Sequence, residues 1–378
     1  MTVLLTSNGV IARSGVPDPA VVAALTDVAA SGTTVRVISN HQKPAWFDTA
    51  FPAASGVVHV WRVGRQDGSA IKEVGAKYSI PTHDFVVLAA DQNDVQMAKN
   101  GAAVLVAAAW AADSRTNGYG ISVASPAELV EVLGLVDSWP GDWYFAGDER
   151  WYRLVSLSNV SGKRVGPAQE AFAAKVVRTI KGGGPRLQAL LVVTARSLLM
   201  GGIAGRDDLM WGFYPSAGSD NADGETLSDF AHRLRTVASR VKFAERGVPL
   251  FTRHTPSVKR SGGWGSDRTD PAGQIGTIHI NPAYRGKVRG RNVVVLDDCA
   301  TYGVSFGVSA ALLRAAGAAS VTCVALGKFG DCLDYYEIDV ASDPFAPLLP
   351  GDYDVRVSRR LTGTRNPAAQ DALIHLIK

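Results

Sequence analysis

Four consecutive apolar β-formers, Val293-Val294-Val295-Leu296, run into two carboxylates, Asp297 and Asp298, and then into the small-residue loop Cys299 to Ser305. An apolar run with no polar alternation reads as a strand buried on both faces, the environment of a parallel sheet covered by helices. An apolar-periodic segment from Phe306 to Ala316 follows, with Gly317 as its stop. Strand, loop and helix start together present backbone N–H groups and the positive end of a helix dipole to one anion, as phosphate sites do. The two Asp at the carboxyl end of the strand can accept hydrogen bonds from sugar hydroxyls or hold Mg²⁺ through water.

This stretch resembles the phosphoribosyl pyrophosphate signature of type I phosphoribosyltransferases. The resemblance implies that Asp297 and Asp298 hold the ribose hydroxyls and Mg²⁺, while Ala300, Thr301, Tyr302, Gly303, Val304 and Ser305 cradle the 5′-phosphate. Tyr302 and Val304 depart from the family pattern, which has Thr or Gly at the first position and Gly at the second, so the loop is bulkier than usual. A Walker B strand also ends in acids, but the chain has no Gly-x-x-x-x-Gly-Lys-Ser/Thr partner for it.

At 378 residues, 46% of them hydrophobic, the chain has apolar mass for two cores. A formal net charge of +4 is too small to argue for a nucleic-acid partner. The basic residues crowd into 253–291, which points to a local anion site. Cys299, Cys323 and Cys332 have neither metal nor disulfide spacing, and Cys299 reads as a small loop residue. With no signal-like start and no bilayer-length apolar run, the expected location is the cytoplasm and no membrane partner is expected.

The first third alternates strands and helices: a strand over 3–6, a helix over 19–30 with Asp18 as cap, and strands over 34–38, 85–89 and 102–107. Thr6, Ser39 and Asp91 fall at the carboxyl ends of strands, where an open parallel sheet binds its ligands. Over residues 1–135 these landmarks resemble the haloacid dehalogenase superfamily of phosphatases. Ser39 matches the second family motif, Lys72 or Lys77 the third, and Asp91 with Asp94 the acidic motif that binds Mg²⁺. The first motif is altered, with Thr6 at the position of the nucleophilic Asp and Asn8 at that of the acid/base Asp. Neither can do carboxylate chemistry, so the resemblance implies a domain that is not a standard phosphatase.

An aromatic stretch, Trp139 to Phe145 with Trp151 and Tyr152, marks a domain boundary between 135 and 165 and reads as interdomain packing. Beyond it, the strand near 208–215 leads into Ser216, Ala217, Gly218 and Ser219, small residues of the kind that let a backbone approach a pyrophosphate. The glycine-rich, basic stretch 251–266 reads as a mobile loop. In the family a hood closes here, which implies that Arg253, Lys259 and Arg260 stabilise departing pyrophosphate. The layout most resembles the competence-protein-F type, with Gln274 before a short strand.

The expectation is thus an α/β protein of two domains, each an open, mainly parallel sheet with flanking helices. Residues 1–140 form a degenerate haloacid-dehalogenase-like domain and 141–378 a phosphoribosyltransferase-like domain. The expected substrates are phosphoribosyl pyrophosphate and a small-molecule acceptor, with Mg²⁺ as cofactor. The rival expectations are a non-catalytic nucleotide-binding protein and a phosphatase acting on a phospho-sugar. The oligomeric state is open, a homodimer included.

Overall fold

The computed structural model describes residues 2–61, 64–203, 208–238, 246–257 and 267–377. The chain folds into two compact units. The first comprises 1–141, 188–207 and 232–240, and the second 142–187, 208–231 and 241–378. Two segments from the second half of the chain therefore belong to the first unit, an arrangement that sequence order does not announce.

The first unit is built on a six-stranded sheet of β1 (Val3–Thr6), β2 (Thr34–Ser39), β3 (Val57–Trp61), β4 (Phe85–Ala89), β5 (Val104–Ala108) and β6 (Ile121–Val123). The spatial order is β3-β2-β1-β4-β5-β6 and every pairing is parallel. The chain winds outward in one direction from β1 and in the other from β4. The strand order therefore reverses between these two, leaving a crevice at their carboxyl ends. β4 and β5 are buried at every position, as continuous apolar runs require.

Helix α1 (Pro19–Ala30) starts as expected, with Asp18 accepting from the Ala20 and Val21 amides and Pro19 in the first turn. After α2 (Ser69–Tyr78), α3 (Gln92–Gly101) begins at Asp91, whose carboxylate accepts from the Asn93 and Asp94 amides. α4 (Pro126–Ser138) is capped by Ser125, whose Oγ accepts from Glu128 N, while Glu128 Oε2 accepts from Ala124 N just before the cap.

The second unit has a mixed sheet of β7 (Phe145–Asp148), β8 (Arg153–Asn159), β9 (Leu209–Phe213), β12 (Asn292–Ala300), β13 (Ser320–Lys328) and β16 (Thr364–Arg365). Its order is β9-β12-β13-β8-β7-β16, parallel from β9 to β8 and antiparallel beyond. Two antiparallel ribbons accompany it, β10 (Phe251–Arg253) with β11 (Ile278–Ile280) and β14 (Asp334–Val340) with β15 (Tyr353–Arg360). The remaining helices of the chain are α5 (Pro167–Gly182), α6 (Pro185–Met200), α7 (Thr226–Ala238), α8 (Val304–Ala315) and α9 (Pro367–Leu376), of which α6 from residue 188 and α7 from residue 232 belong to the first unit. No helix among the described residues is long and apolar enough to cross a membrane.

Two expectations need correction, and one ribbon was not expected. Residues 251–253 are a strand and not part of a mobile loop, because Phe251 and Arg253 are buried while Thr252 between them is half-buried. The stretch after 331 contains the β14–β15 ribbon, whose buried Tyr335, Tyr336 and Ile338 belong to the second core. The aromatic stretch is not one cluster. Trp139 is buried in the first unit, its Nε1 donating to Ser197 Oγ at 2.9 Å, whereas Phe145 and Tyr152 lie in the core of the second.

Helix α8 packs against β14 at Gly307, where an added Cβ would lie 2.7 Å from Tyr336 Cβ. Gly307→Ala should therefore destabilise the protein by about 1–3 kcal/mol, overpacking outweighing the better helix propensity of Ala. Denaturant unfolding measures this, and an unchanged midpoint would contradict it.

Candidate functional site

Parallel pairing sets the register Phe213↔Leu296, so β9 ends level with Leu296 and the loop after it leaves beside Asp297 and Asp298, where β12 continues to Ala300. Tyr214 N donates to Leu296 O at 2.8 Å across the junction. Between these loops lies a cleft of about 830 Å³, lined by residues 214–220, 224–227, 297–299 and 301–305, with Lys181, Arg253, Ser257, Arg268 and Gln274. Its size suits a small ligand.

Asp297 and Asp298 line the cleft, half-buried. Asp297 is held on both oxygens, Oδ1 accepting from the Asp298 amide at 2.8 Å and Oδ2 from Ser305 Oγ at 2.6 Å. Enclosure of the carboxyl group, reinforced by the charge of Asp298, pushes Asp297 well above the usual carboxylate range. Asp298 Oδ1 accepts from the Cys299 amide at 2.5 Å. The pair differs in kind: Asp297 ties the strand to the loop, and Asp298 is the carboxylate with capacity left for a ligand.

Gly303 turns the loop at φ +80 and caps α8; a Cβ there would lie 2.3 Å from Asp334 O. The left-handed turn and the close approach both call for glycine. The first turn of α8 begins there, and its Val304 and Ser305 line the cleft. Thr301, Tyr302, Gly303, Val304 and Ser305 all line the cleft, but Ala300 does not: it is buried in the core, its carbonyl accepting from Phe329 N. A residue still inside the strand cannot belong to the loop. Tyr302, the bulky departure, has the Arg268 guanidinium 5.3 Å from its ring centre.

Ser216, Ala217, Gly218 and Ser219 line the facing wall. This loop is pinned from behind by Arg253. The guanidinium donates to Pro215 O at 3.1 Å, Gln274 Oε1 at 3.3 Å and Thr277 Oγ1 at 2.8 Å. Asn221 exchanges two hydrogen bonds with the Arg253 backbone, and Ser257 N donates to Ala217 O. Arg253 is only 4% exposed. It therefore buttresses the loop and is not a hood cation reaching for pyrophosphate. Lys259 and Arg260 lie outside the described residues. Lys181 and Arg268 line the cleft beside Arg253, and neither was singled out from the sequence as a ligand-binding cation.

Cys299 lines the cleft, but burial and the neighbouring carboxylates raise its thiol well above its ordinary value, so it is not a nucleophile at neutral pH. His279 is lowered by burial and by His254 beside it.

At the crevice of the first unit, Thr6, Ser7, Ser39 and Asp94 are all buried. Asp91 and Asp94 do come together there, as expected. Between them lies Arg65, a residue the sequence reading did not single out, 2.7 Å from Asp94 Oδ1 and 3.6 Å from Asp91 Oδ2. Asp94 Oδ2 accepts from Ser7 Oγ at 2.6 Å and from the Ala90 amide at 2.9 Å. Burial raises the Asp94 carboxyl group, with Arg65 opposing the rise. With both Asp94 oxygens engaged and a guanidinium in place, the donor set does not fit Mg²⁺, which needs open carboxylate oxygens. This corrects the assignment of Asp91 and Asp94 as metal ligands: an arginine supplies the positive charge. Among the described residues no group of three or more His, Cys, Asp or Glu converges as a metal site.

No known family model matches the sequence, and no curated protein matches it. Among solved structures, one described provisionally as a HAD family hydrolase from Streptomyces avermitilis MA-4680 aligns with 36% of this chain and 88% of its own. The identity is 18% and the TM-score 0.29. A likeness of that size decides neither fold nor chemistry.

Removing Arg65 leaves a fully buried carboxylate without its counter-charge. Arg65→Ala should destabilise the protein at neutral pH by about 3–5 kcal/mol. The loss should shrink toward pH 4, where the raised Asp94 carboxyl takes up a proton. Chemical denaturation at the two pH values measures the difference; equal losses would contradict the ion-pair assignment.

Proposed function

We propose that the second unit binds phosphoribosyl pyrophosphate with Mg²⁺ and transfers its 5-phosphoribosyl group to a small-molecule acceptor. The observation that carries this reading is the junction of the β9 and β12 loops, where two adjacent carboxylates face two small-residue loops across one cleft. The strand order supports it, since the acidic strand β12 lies inside a parallel sheet and its loop opens onto the N-terminus of α8.

In this reading the amides of 301–305 take the 5′-phosphate. Asp298 accepts hydrogen bonds from the ribose hydroxyls, with Asp297 holding the strand end against Ser305. Loop 216–219 offers backbone N–H groups to the pyrophosphate, held in place by Arg253, and Lys181 and Arg268 add positive charge. As the bond to pyrophosphate breaks, positive charge grows at the anomeric carbon and the two carboxylates stabilise it. The chemistry rests on positioning and needs no protein nucleophile.

The donor set suits Mg²⁺. Two adjacent carboxylates, one raised by burial and then by its neighbour's charge, gain from a cation, and this ion typically binds through one or two carboxylates plus substrate phosphates. When bound, it would offset the negative charge of the pyrophosphate.

Calorimetric titration of phosphoribosyl pyrophosphate with Mg²⁺ tests the reading. The wild type should bind, and Asp298→Asn should weaken binding tenfold or more, about 1.4 kcal/mol. No binding by the wild type would overturn the proposal.

A second reading, hydrolysis of a phosphate ester by the first unit, draws on Ser39, Asp91 and Asp94 at the carboxyl ends of its strands. It requires Mg²⁺ to displace Arg65. If it holds, phospho-sugars with Mg²⁺ should give phosphate release that Asp94→Asn abolishes and Asp298→Asn leaves intact. Absence of release over a broad substrate panel would remove it.

A further inference from the structure

Outside the cleft, the β10–β11 ribbon brings two imidazoles together. His254 follows β10 and His279 lies in the middle of β11, with His254 N donating to Thr277 O. Their Nδ1 atoms are 3.1 Å apart, and His254 Nε2 is 3.2 Å from Gly276 O. Neither residue lines the cleft. His254 is exposed, and His279 beneath it is 8% exposed.

The contacts determine where the protons are. A backbone carbonyl only accepts, so His254 carries its proton on Nε2, and in the neutral ring Nδ1 is then a bare lone pair. That lone pair faces Nδ1 of His279, which donates to it. Two like charges could not sit at this separation, so at least one ring is neutral.

This is also the arrangement of a chelating pair. Nitrogen ligands at 2.0–2.1 Å from one ion lie about 3.3 Å apart at a tetrahedral angle and about 2.9 Å apart at a right angle. The separation of 3.1 Å falls between the two. A ligating imidazole almost always donates its other N–H to a carbonyl, carboxylate or water, as His254 does to Gly276 O. At His279, ligation requires that the proton move from Nδ1 to Nε2, with no change in net charge, and that the two rings turn so that both Nδ1 lone pairs meet at the ion. The exposed side of His254 leaves room for water in the remaining positions.

We propose that His254 and His279 form a two-imidazole site for a late first-row divalent ion of the Ni²⁺, Cu²⁺ or Zn²⁺ class, completed by water. The ribbon that carries it also carries Arg253, the buttress of the 216–219 loop. An ion bridging the two imidazoles cross-links the ribbon end next to that buttress. This would stiffen the loop support without entering the cleft.

The test uses the full chain after dialysis against a chelator. Cu²⁺ is titrated into wild type, His254→Ala and His279→Gln, read by calorimetry and by electron paramagnetic resonance with nitrogen couplings. Wild type should bind one ion with two imidazole nitrogens, and His254→Ala should lose that site or weaken it tenfold or more. Saturating Zn²⁺ should raise the melting temperature of wild type and not that of His254→Ala. Because His254 is exposed, its replacement should leave the apo melting temperature nearly unchanged, which keeps the test valid should His279→Gln fail to fold. Equal Cu²⁺ stoichiometry and affinity in wild type and His254→Ala would overturn the proposal, leaving the pair as a hydrogen bond only.

Discussion

The parallel ladder between β9 and β12 is the constraint on which the second unit depends. Its register places the end of β9 beside the acidic pair of β12, distant in sequence, so that the loops after the two strands line a single cleft. Antiparallel pairing would send the two carboxyl ends to opposite edges of the sheet and separate the acidic pair from the 216–219 loop. The apolar run 293–296 enforces the parallel arrangement, because four consecutive buried residues need cover on both faces of the sheet.

Buried arginines do much of the structural work around both strand-end regions. Arg65 supplies a cation to Asp94 in the first unit, and Arg253 links three acceptors behind the 216–219 loop in the second. Arg196, also in the first unit, spans Asp84, His83 O and Trp139 O. In Arg253 and Arg196 the planar fork satisfies several acceptors at once, which a lysine with its single ammonium would not do in the same geometry. A count of basic residues along the chain cannot separate these structural cations from Lys181 and Arg268, which line the cleft.

The two strand-end regions also differ in openness. In the first unit the carboxylate Asp94 has both oxygens satisfied by Arg65, Ser7 and the Ala90 amide, so the polar cluster is closed on itself. In the second unit Asp297 is internally satisfied in the same way, but Asp298 beside it still faces the cleft. A closed network stabilises; an open one can exchange its hydrogen bonds for those of a ligand. This contrast is the physical ground for assigning ligand chemistry to the second unit.

By itself the sequence determined the buried strands 85–89 and 293–296, the cap at Asp18, and the carboxylates followed by a small-residue loop that contains Gly303. Each of these is local: a run of apolar residues, a side chain reaching an amide two or three positions on, or a glycine where φ must be positive. Only the tertiary structure decided that Arg253 faces inward and Lys181 lines the cleft, that Arg65 lies between Asp91 and Asp94, and that His254 meets His279. It also decided that 188–207 and 232–240 belong to the first unit and that 331–360 holds a ribbon. These depend on which surfaces meet across long stretches of chain, and an arginine or histidine looks the same in sequence whether its partner is water, a carbonyl or another side chain.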